Sequence, residues 1–282
     1  MWSKEARLEH VPRDGRYPSD LTDAEWVIVA AMVPPPRQGG RPRDTDMRAV
    51  MNAVRYVLRT GCQWRQLPKD FPPRSTVYNY FWEWTRYGTL DRIHHALLMQ
   101  VREAEGREAS PTAAIIDTQA VKATEKGGAT PDPVGYDAGK KTKGIKRNAL
   151  VDTIGLLLGI EVIPASIQDR DCAAGLIRRT RRLFPWIAKV FADGGYAGPK
   201  LRNALKGQPV DIEIVKRTDK DGGFKVIRRR WVVERTLSWL RRNRRLMAHY
   251  EGLAIIAEGF AKLAMISLML RRLTQPKPQP AT

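Results

Sequence analysis

Two short apolar runs, each closed by an aspartate, constrain this chain more than any other feature: Ala113-Ala114-Ile115-Ile116-Asp117 and Val190-Phe191-Ala192-Asp193. Apolar runs this short, bounded by turn-forming or charged residues, predict buried strands rather than helices. Further strands are predicted over 149–152 and 156–163, joined at Gly155, and over 211–215. Asp171 is the expected cap of a helix reaching Arg182, and a short helix is expected over 199–205. Helices over 225–247 and 253–272 follow, while 122–147, rich in Gly, Pro and Lys, predicts a long mobile loop.

From residue 113 the order is strand, strand, strand, helix, strand, helix, strand, helix. That order is α/β with a mixed sheet, compatible with a ribonuclease-H-like fold. Before it lies an all-α region. Leu21 to Met32 starts with Thr22-Asp23-Ala24-Glu25 and stops at Pro34-Pro35-Pro36. Asp44 is the expected cap of a helix over 46–60, whose Met47, Val50, Met51, Val54 and Leu58 keep helical spacing up to Gly61. Ser75 is the expected cap of a third helix over 76–87, and a fourth spans 90–105. The third, following a turn, reads as a helix-turn-helix-like reader with Arg74 and Asn79 near its start, or as a small aromatic core. The domains are therefore expected at 1–109 (helical, DNA-binding) and 110–274 (catalytic), with a disordered Pro-rich tail at 275–282.

Charge narrows the partner. Lys and Arg number 49 against 30 Asp and Glu, a formal net charge of +19, more than solubility needs. The excess points to nucleic acid first and an anionic membrane surface second. The apolar stretch 253–270 is interrupted by Glu258 and Lys262 at i,i+4, so a packed helix is expected rather than a membrane span. Residues 1–20 hold no apolar signal core, and Cys62 and Cys172 offer neither a zinc spacing nor a disulfide framework. A soluble cytoplasmic protein is expected.

Glu234 is the only acid between Gly222 and Tyr250, amid nine Lys and Arg. It reads either as a salt-bridged residue of a basic helix or as a carboxylate metal ligand inside a phosphate-binding surface. Helical spacing groups it with Ile227, Arg230, Ser238 and Arg241. Lys140, Lys141, Lys143, Lys146 and Arg147 form a basic run expected to contact phosphates without reading sequence. Trp231 and Trp239 flank Glu234 as core residues or as stacking platforms for an unpaired base. Asp152, Asp169 and Asp171 are rival acids, and His10, His94, His95 and His249 read as packing or surface residues. No GxxxxGK[ST] loop is present, so nothing supports an ATP-driven mechanism.

Three segments resemble the catalytic blocks of the insertion-sequence DDE transposases, specifically the insertion-sequence-5 family of the insertion-sequence-4-like group. They are Ile115-Ile116-Asp117-Thr118-Gln119, Phe191-Ala192-Asp193-Gly194-Gly195-Tyr196 and Arg230-Trp231-Val232-Val233-Glu234-Arg235-Thr236. That group's signature is Tyr, two residues, Arg, three residues, Glu, six residues, Lys. Arg230 and Glu234 match it, Arg241 keeps the charge of the Lys, and Ile227 lacks the Tyr hydroxyl. Leu21-Thr22-Asp23-Ala24-Glu25-Trp26, Gly61-Cys62-Gln63-Trp64-Arg65-Gln66-Leu67-Pro68 and Ser75-Thr76-Val77-Tyr78 resemble the same family's N-terminal domain, extending the likeness to about 20–272. The resemblance implies a ribonuclease-H-like domain with Asp117, Asp193 and Glu234 as catalytic, metal-binding acids. It also implies two Mg²⁺ ions, with Mn²⁺ as a substitute, and double-stranded DNA as partner: terminal inverted repeats and a target. A homodimer or higher multimer working at the bacterial nucleoid is implied too. A transposase-derived DNA-binding regulator, or a nuclease without strand transfer, are the alternatives.

Overall fold

Local capping decides where the first helices begin. Thr22 caps α1 (Asp23–Ala30) through a capping box, its hydroxyl accepting from the Glu25 amide while the Glu25 carboxylate accepts from the Thr22 amide. Asp46, not Asp44, caps α2 (Met47–Thr60), accepting from the Arg48 amide at 2.8 Å. Gly61 ends α2 in the left-handed region with φ of 71°, as its position predicts. Helix α3 (Arg74–Arg86) begins directly after Pro73 with no side-chain cap, so Ser75 lies inside it. Helix α4 (Thr89–Ala104) follows across Tyr87 and Gly88. The computed structural model describes residues 17–36, 38–39, 42–124, 133–215 and 230–275; His10, Ile227, residues 225–229 and most of the Pro-rich tail lie outside them.

The sheet is built from β1 (Ala113–Lys122), β2 (Gly135–Asp137), β3 (Thr142–Val151), β4 (Leu157–Pro164), β5 (Lys189–Ala192) and β6 (Asp211–Ile214). Strand β1 is central. It pairs antiparallel with β3 (Asp117 opposite Ala149) and parallel with β5 (Ile115 opposite Phe191). Strand β6 lies parallel beyond β5, while β2 and β4 share the outer edge of β3. The order β4-β3-β1-β5-β6, with β3 reversed against its neighbours, is that of a ribonuclease-H-like mixed sheet.

Much of the stretch 122–147 is therefore strand and hairpin, not a long loop. Backbone pairing is indifferent to side-chain polarity, and ion pairs compensate the buried Lys146 of β3 while a carbonyl answers Arg147. Lys146 lies 3.0 Å from Asp169 and 3.3 Å from Asp137 and donates to the Ile167 carbonyl. Arg147, 1% exposed, donates to the Leu246 carbonyl at 2.7 Å.

Helix α5 (Asp169–Leu183) covers the sheet face bearing Ile116 and Thr118. Gln168 stands at its cap position with no side-chain bond, and Asp171 pairs with Lys200 at 2.7 Å. The short α6 (Pro199–Ala204) leads into β6. On the other face lie α7 (Arg230–Arg241) and α8 (Ala254–Thr274). The described part of α7 stops at Arg241, and a separate 3-10 turn at Arg244–Leu246 follows, so the predicted helix to 247 is broken.

Helix α8 packs on β4 and on all four N-terminal helices, so the apolar core is continuous from α1 to the sheet. Its two interrupting charges are spent on packing: Glu258 accepts from the Val162 amide of β4 at 3.0 Å, and Lys262 pairs with Asp91 of α4 at 2.6 Å. Among the described residues no helix is long and apolar enough to cross a membrane. The α4–β1 connection is tied to the sheet by a buried ion pair of Arg102 with Asp152, which also accepts from the Ile154 and Leu156 amides. Asp152 is thus structural. Arg102→Met strands that buried charge and is expected to cost roughly 3–5 kcal/mol. The readout is a lower denaturation midpoint at unchanged slope; a loss below about 1 kcal/mol would deny the pair this role.

Candidate active site

Three acids from three elements lie within electrostatic reach of one another. Asp117 sits within β1, which continues to Lys122, rather than at a strand end. Asp193 follows β5 and lies level with Asp117, two residues beyond the Ile115–Phe191 pair on each strand. Its carboxylate caps a 3-10 turn (Gly194–Tyr196), accepting from the Gly195 amide at 2.8 Å. Glu234 is exposed on α7, which crosses the same sheet face. Arg230, one helical turn earlier, lies 3.4 Å from Glu234 and 3.7 Å from Asp193.

Asp117 registers the crowding. Burial first, opposed by a 2.8 Å bond from the Thr118 amide, and then the charge of Asp193 push its carboxyl up to about 6; Arg230 pulls it down and Glu234 raises it. A carboxyl raised by burial and by like charges lacks sufficient positive charge. The rival acids each have a cation, Asp152 with Arg102, Asp169 with Lys146 and Asp171 with Lys200, although burial raises the Asp152 carboxyl as well. Among the described residues no three His, Cys, Asp or Glu side chains stand close enough to hold a metal ion. Arg230 lies between two of the acids instead, and its pairs are partly exposed, with side-chain exposures of 24% for Arg230, 31% for Asp193 and 48% for Glu234. Such screened pairs contribute at most about 1 kcal/mol, so the guanidinium is easily displaced.

Behind Asp117, on the opposite sheet face, the Tyr196 and Thr118 hydroxyls meet at 2.6 Å. This buried bond ties β1 to the turn that Asp193 caps, and burial raises the Tyr196 pKa well above its ordinary value. The sequence held the signal, since both residues fall inside the segments around Asp117 and Asp193, but periodicity gave neither a role.

The remaining sequence candidates divide. Lys140 and Lys141 are exposed at the tip of the β2–β3 hairpin, where Lys141 has φ of 48°, and Lys143 is exposed on β3. Lys146 and Arg147 are buried and already bonded, so they are removed from the phosphate-contact set. Arg241 is exposed and its charge reaches Arg147. The Arg235 guanidinium lies between two rings, 4.2 Å from Trp231 and 4.6 Å from Trp239, and donates to the Ile154 carbonyl. Arg272 also approaches the Trp239 ring at 5.1 Å. Trp239 therefore serves packing, while Trp231 keeps 38% exposure beside Glu234. Arg74 and Asn79 are both exposed on α3, whose Val77, Phe81 and Trp84 are buried. Residues 61–73 join α2 to α3, longer than the tight turn of a helix-turn-helix; the tight turn lies after α3, at Tyr87-Gly88. His94 and His249 are buried, His95 packs on Phe184, and both cysteines are free.

The mixed sheet has the strand order of a ribonuclease-H-like fold, and the chain around it carries a formal net charge of +19. A family model described as "Transposase DDE domain" matches residues 108–269, and one described as "Putative transposase of IS4/5 family" matches 21–94. The chain belongs to the DDE transposases of the IS4/5 type, enzymes that cleave DNA and transfer its strands. It is 40% identical over 74 residues to a putative transposase for insertion sequence element IS402 from Burkholderia cepacia, covering 26% of this chain and 35% of that one. It is 29% identical over 141 residues to an uncharacterized 16.2 kDa protein of the same element and organism, covering 45% of this chain and 95% of that protein. A solved Mos1 transposase paired-end complex with left transposon end shares 12% identity at a TM-score of 0.25, over 62% of this chain and 60% of its own.

The raised carboxyl makes a stability prediction. Native Asp117 holds its proton up to about 6 and the unfolded residue only to 3.8, so stability present at low pH is lost as pH rises through that window. Without divalent ions, Asp117→Asn is expected to unfold at a higher temperature than wild type at neutral pH. The gap should close as pH falls towards about 4; an equal or lower midpoint at neutral pH would contradict the crowding.

Proposed function

We propose that this chain is the transposase of an insertion sequence. It binds the element's terminal inverted repeats as a homodimer or larger multimer and performs Mg²⁺-dependent cleavage and strand transfer through Asp117, Asp193 and Glu234. The observation that carries the reading is the half-buried Asp117 carboxyl, raised by desolvation and by the like charge of acids from two other elements, and answered only in part by one displaceable guanidinium. Oxygen donors that repel one another suit a hard divalent cation. Asp117 and Asp193 would hold two Mg²⁺, or Mn²⁺ in their place, with Glu234 completing the set. Bound there, the ions supply an activated oxygen nucleophile and neutralise charge on the leaving oxygen.

The chain's own residues do the rest. Arg230, released from the acids, and Arg241 grip phosphates beside the reacting bond. Lys140, Lys141 and Lys143 hold the backbone from the hairpin, and Trp231 offers a ring for an unpaired base. Hydrolysis of the P–O3′ bond at the element's end leaves a 3′-hydroxyl and a 5′-phosphate. That hydroxyl then attacks a target phosphorus, forming one phosphodiester as another breaks. Bond number is conserved in the second step, which accords with the missing nucleotide-binding loop. Residues 1–109, with Arg74 and Asn79 on α3, read the repeats, residues 110–274 carry the chemistry, and the work takes place on nucleoid DNA in the cytoplasm.

On a labelled terminal-repeat duplex with Mg²⁺, Asp117→Asn, Asp193→Asn and Glu234→Gln should each lose about a thousandfold or more in cleavage, with binding kept. Full cleavage by all three variants rejects the triad, and wild type that binds cognate ends without cutting favours a DNA-binding regulator. Lys140→Gln with Lys141→Gln should lower the salt slope of duplex affinity by about 2. Lys146→Gln should leave that slope unchanged and lower stability instead; the reverse pattern would return Lys146 to the DNA surface.

A further inference from the structure

Between the N-terminal helices and the last two helices lies a cavity of about 410 Å³, inside the range of roughly 300–1,000 Å³ usual for small-ligand sites. Arg55 and Arg59 of α2, Arg242 just past α7, and Arg271 and Arg272 of α8 line it. Glu105 is the one carboxylate among the described lining residues. Glu234 is not part of this wall.

A solvated arginine cluster would need no explanation, but this one is partly inside the protein. Arg55 is 6% exposed. Its Nε donates to the Ser19 carbonyl at 2.9 Å and its Nη2 lies 3.5 Å from Glu25, while Nη1 is buried with no hydrogen-bond partner. A buried donor left unmade costs free energy, more so on a charged group. The neighbours worsen the imbalance. Burial, and then Arg271, pull Arg55 and Arg59 below their ordinary pKa, against the support Glu25 gives Arg55; Arg242 adds to the effect on Arg59. Arg59, itself exposed, is held by its bond to the Arg242 carbonyl at 3.3 Å, and Arg272 lies against the Trp239 ring at 5.1 Å, so two of the guanidiniums are pre-positioned. Concave cation clusters focus the field on an anion, and guanidinium forks match phosphate oxygens.

We propose that this cavity is an anion site that takes a phosphate group and, when filled, ties α2 to α7 and α8. The phosphate is one of the DNA backbone or of a free phosphate or nucleoside monophosphate; the recognition chemistry is the same. Because α7 also carries Glu234, a filled site couples the region matched at 21–94 to the helix bearing the third acid. The DNA arm of the test rests on the transposase reading and the free-phosphate arm does not, so the two failures are distinguishable.

The experiment follows the thermal midpoint of the full chain through titrations with inorganic phosphate and deoxyadenosine monophosphate, against chloride at equal ionic strength. Duplex affinity is measured in parallel. Arg59→Gln/Arg271→Gln is compared with the charge-matched Arg202→Gln/Lys206→Gln, which lies away from the cavity. The cavity variant should lose about tenfold or more in phosphate affinity while the control keeps it. Arg242→Gln, at an exposed position, repeats the test with a smaller loss should the double variant fold poorly. If the free ligands leave wild type unmoved but the cavity variant weakens duplex binding well beyond the control, the phosphate belongs to DNA. Equal behaviour of cavity and control variants in both arms overturns the proposal.

Discussion

The pairing of β1 with its two neighbours is the constraint on which the rest of the molecule depends. Antiparallel to β3 and parallel to β5, β1 puts Asp117 inside the sheet and brings the end of β5, with Asp193, level with it. A one-residue slip would turn Asp117 to the α5 face and set Thr118 towards α7. The Thr118–Tyr196 hydrogen bond opposes such a slip from the far side, where it fastens β1 to the turn after β5. The candidate site is therefore held by a bond made on the face of the sheet opposite to it.

Charge is distributed unequally over this frame. Asp152, Asp169, Asp171 and Glu258 each find a cation or a backbone donor, and Lys146 and Arg147 are turned inwards and bonded. Burial raises the carboxyls of Asp117, Asp152 and Glu258 alike; half-buried Asp117 differs in facing two further carboxylates across the site, those of Asp193 and Glu234. Stability is given up there in the absence of ligand. The five arginines around the cavity between α2, α7 and α8 pose the same imbalance with the opposite sign. One region calls for cations and the other for anions, and α7 contributes to both.

Helix α8 joins the two halves. It follows the sheet in the chain, yet the Phe260 ring lies 4.5 Å from that of Phe81 of α3, tilted by 37°, and a methyl group added at Gly259 would meet the Thr85 hydroxyl at 2.7 Å. The N-terminal helices are thus closed by a helix supplied from beyond the catalytic strands, and a boundary at residues 109–110 marks a change in secondary structure without a break in the core.

Sequence by itself determined the elements whose signals are local. The apolar runs before Asp117 and Asp193 marked two strands, Gly61 marked the end of α2, and the periodicity of 47–58 marked a buried helix face. The isolation of Glu234 among cations was legible as well, because charge bias needs no fold to be counted. Tertiary structure alone decided which charges are spent. Five basic residues in 140–147 look alike in sequence, yet Lys140, Lys141 and Lys143 stay exposed near the hairpin tip while Lys146 and Arg147, deeper in β3, are covered on opposite faces of the sheet. Those five basic residues also hid β3 from pattern reading, since backbone hydrogen bonds between strands leave no trace in side-chain polarity. Partners such as Asp169 for Lys146, or Arg271 beside Arg55, are distant in sequence, and only chain folding brings their charges within reach of one another.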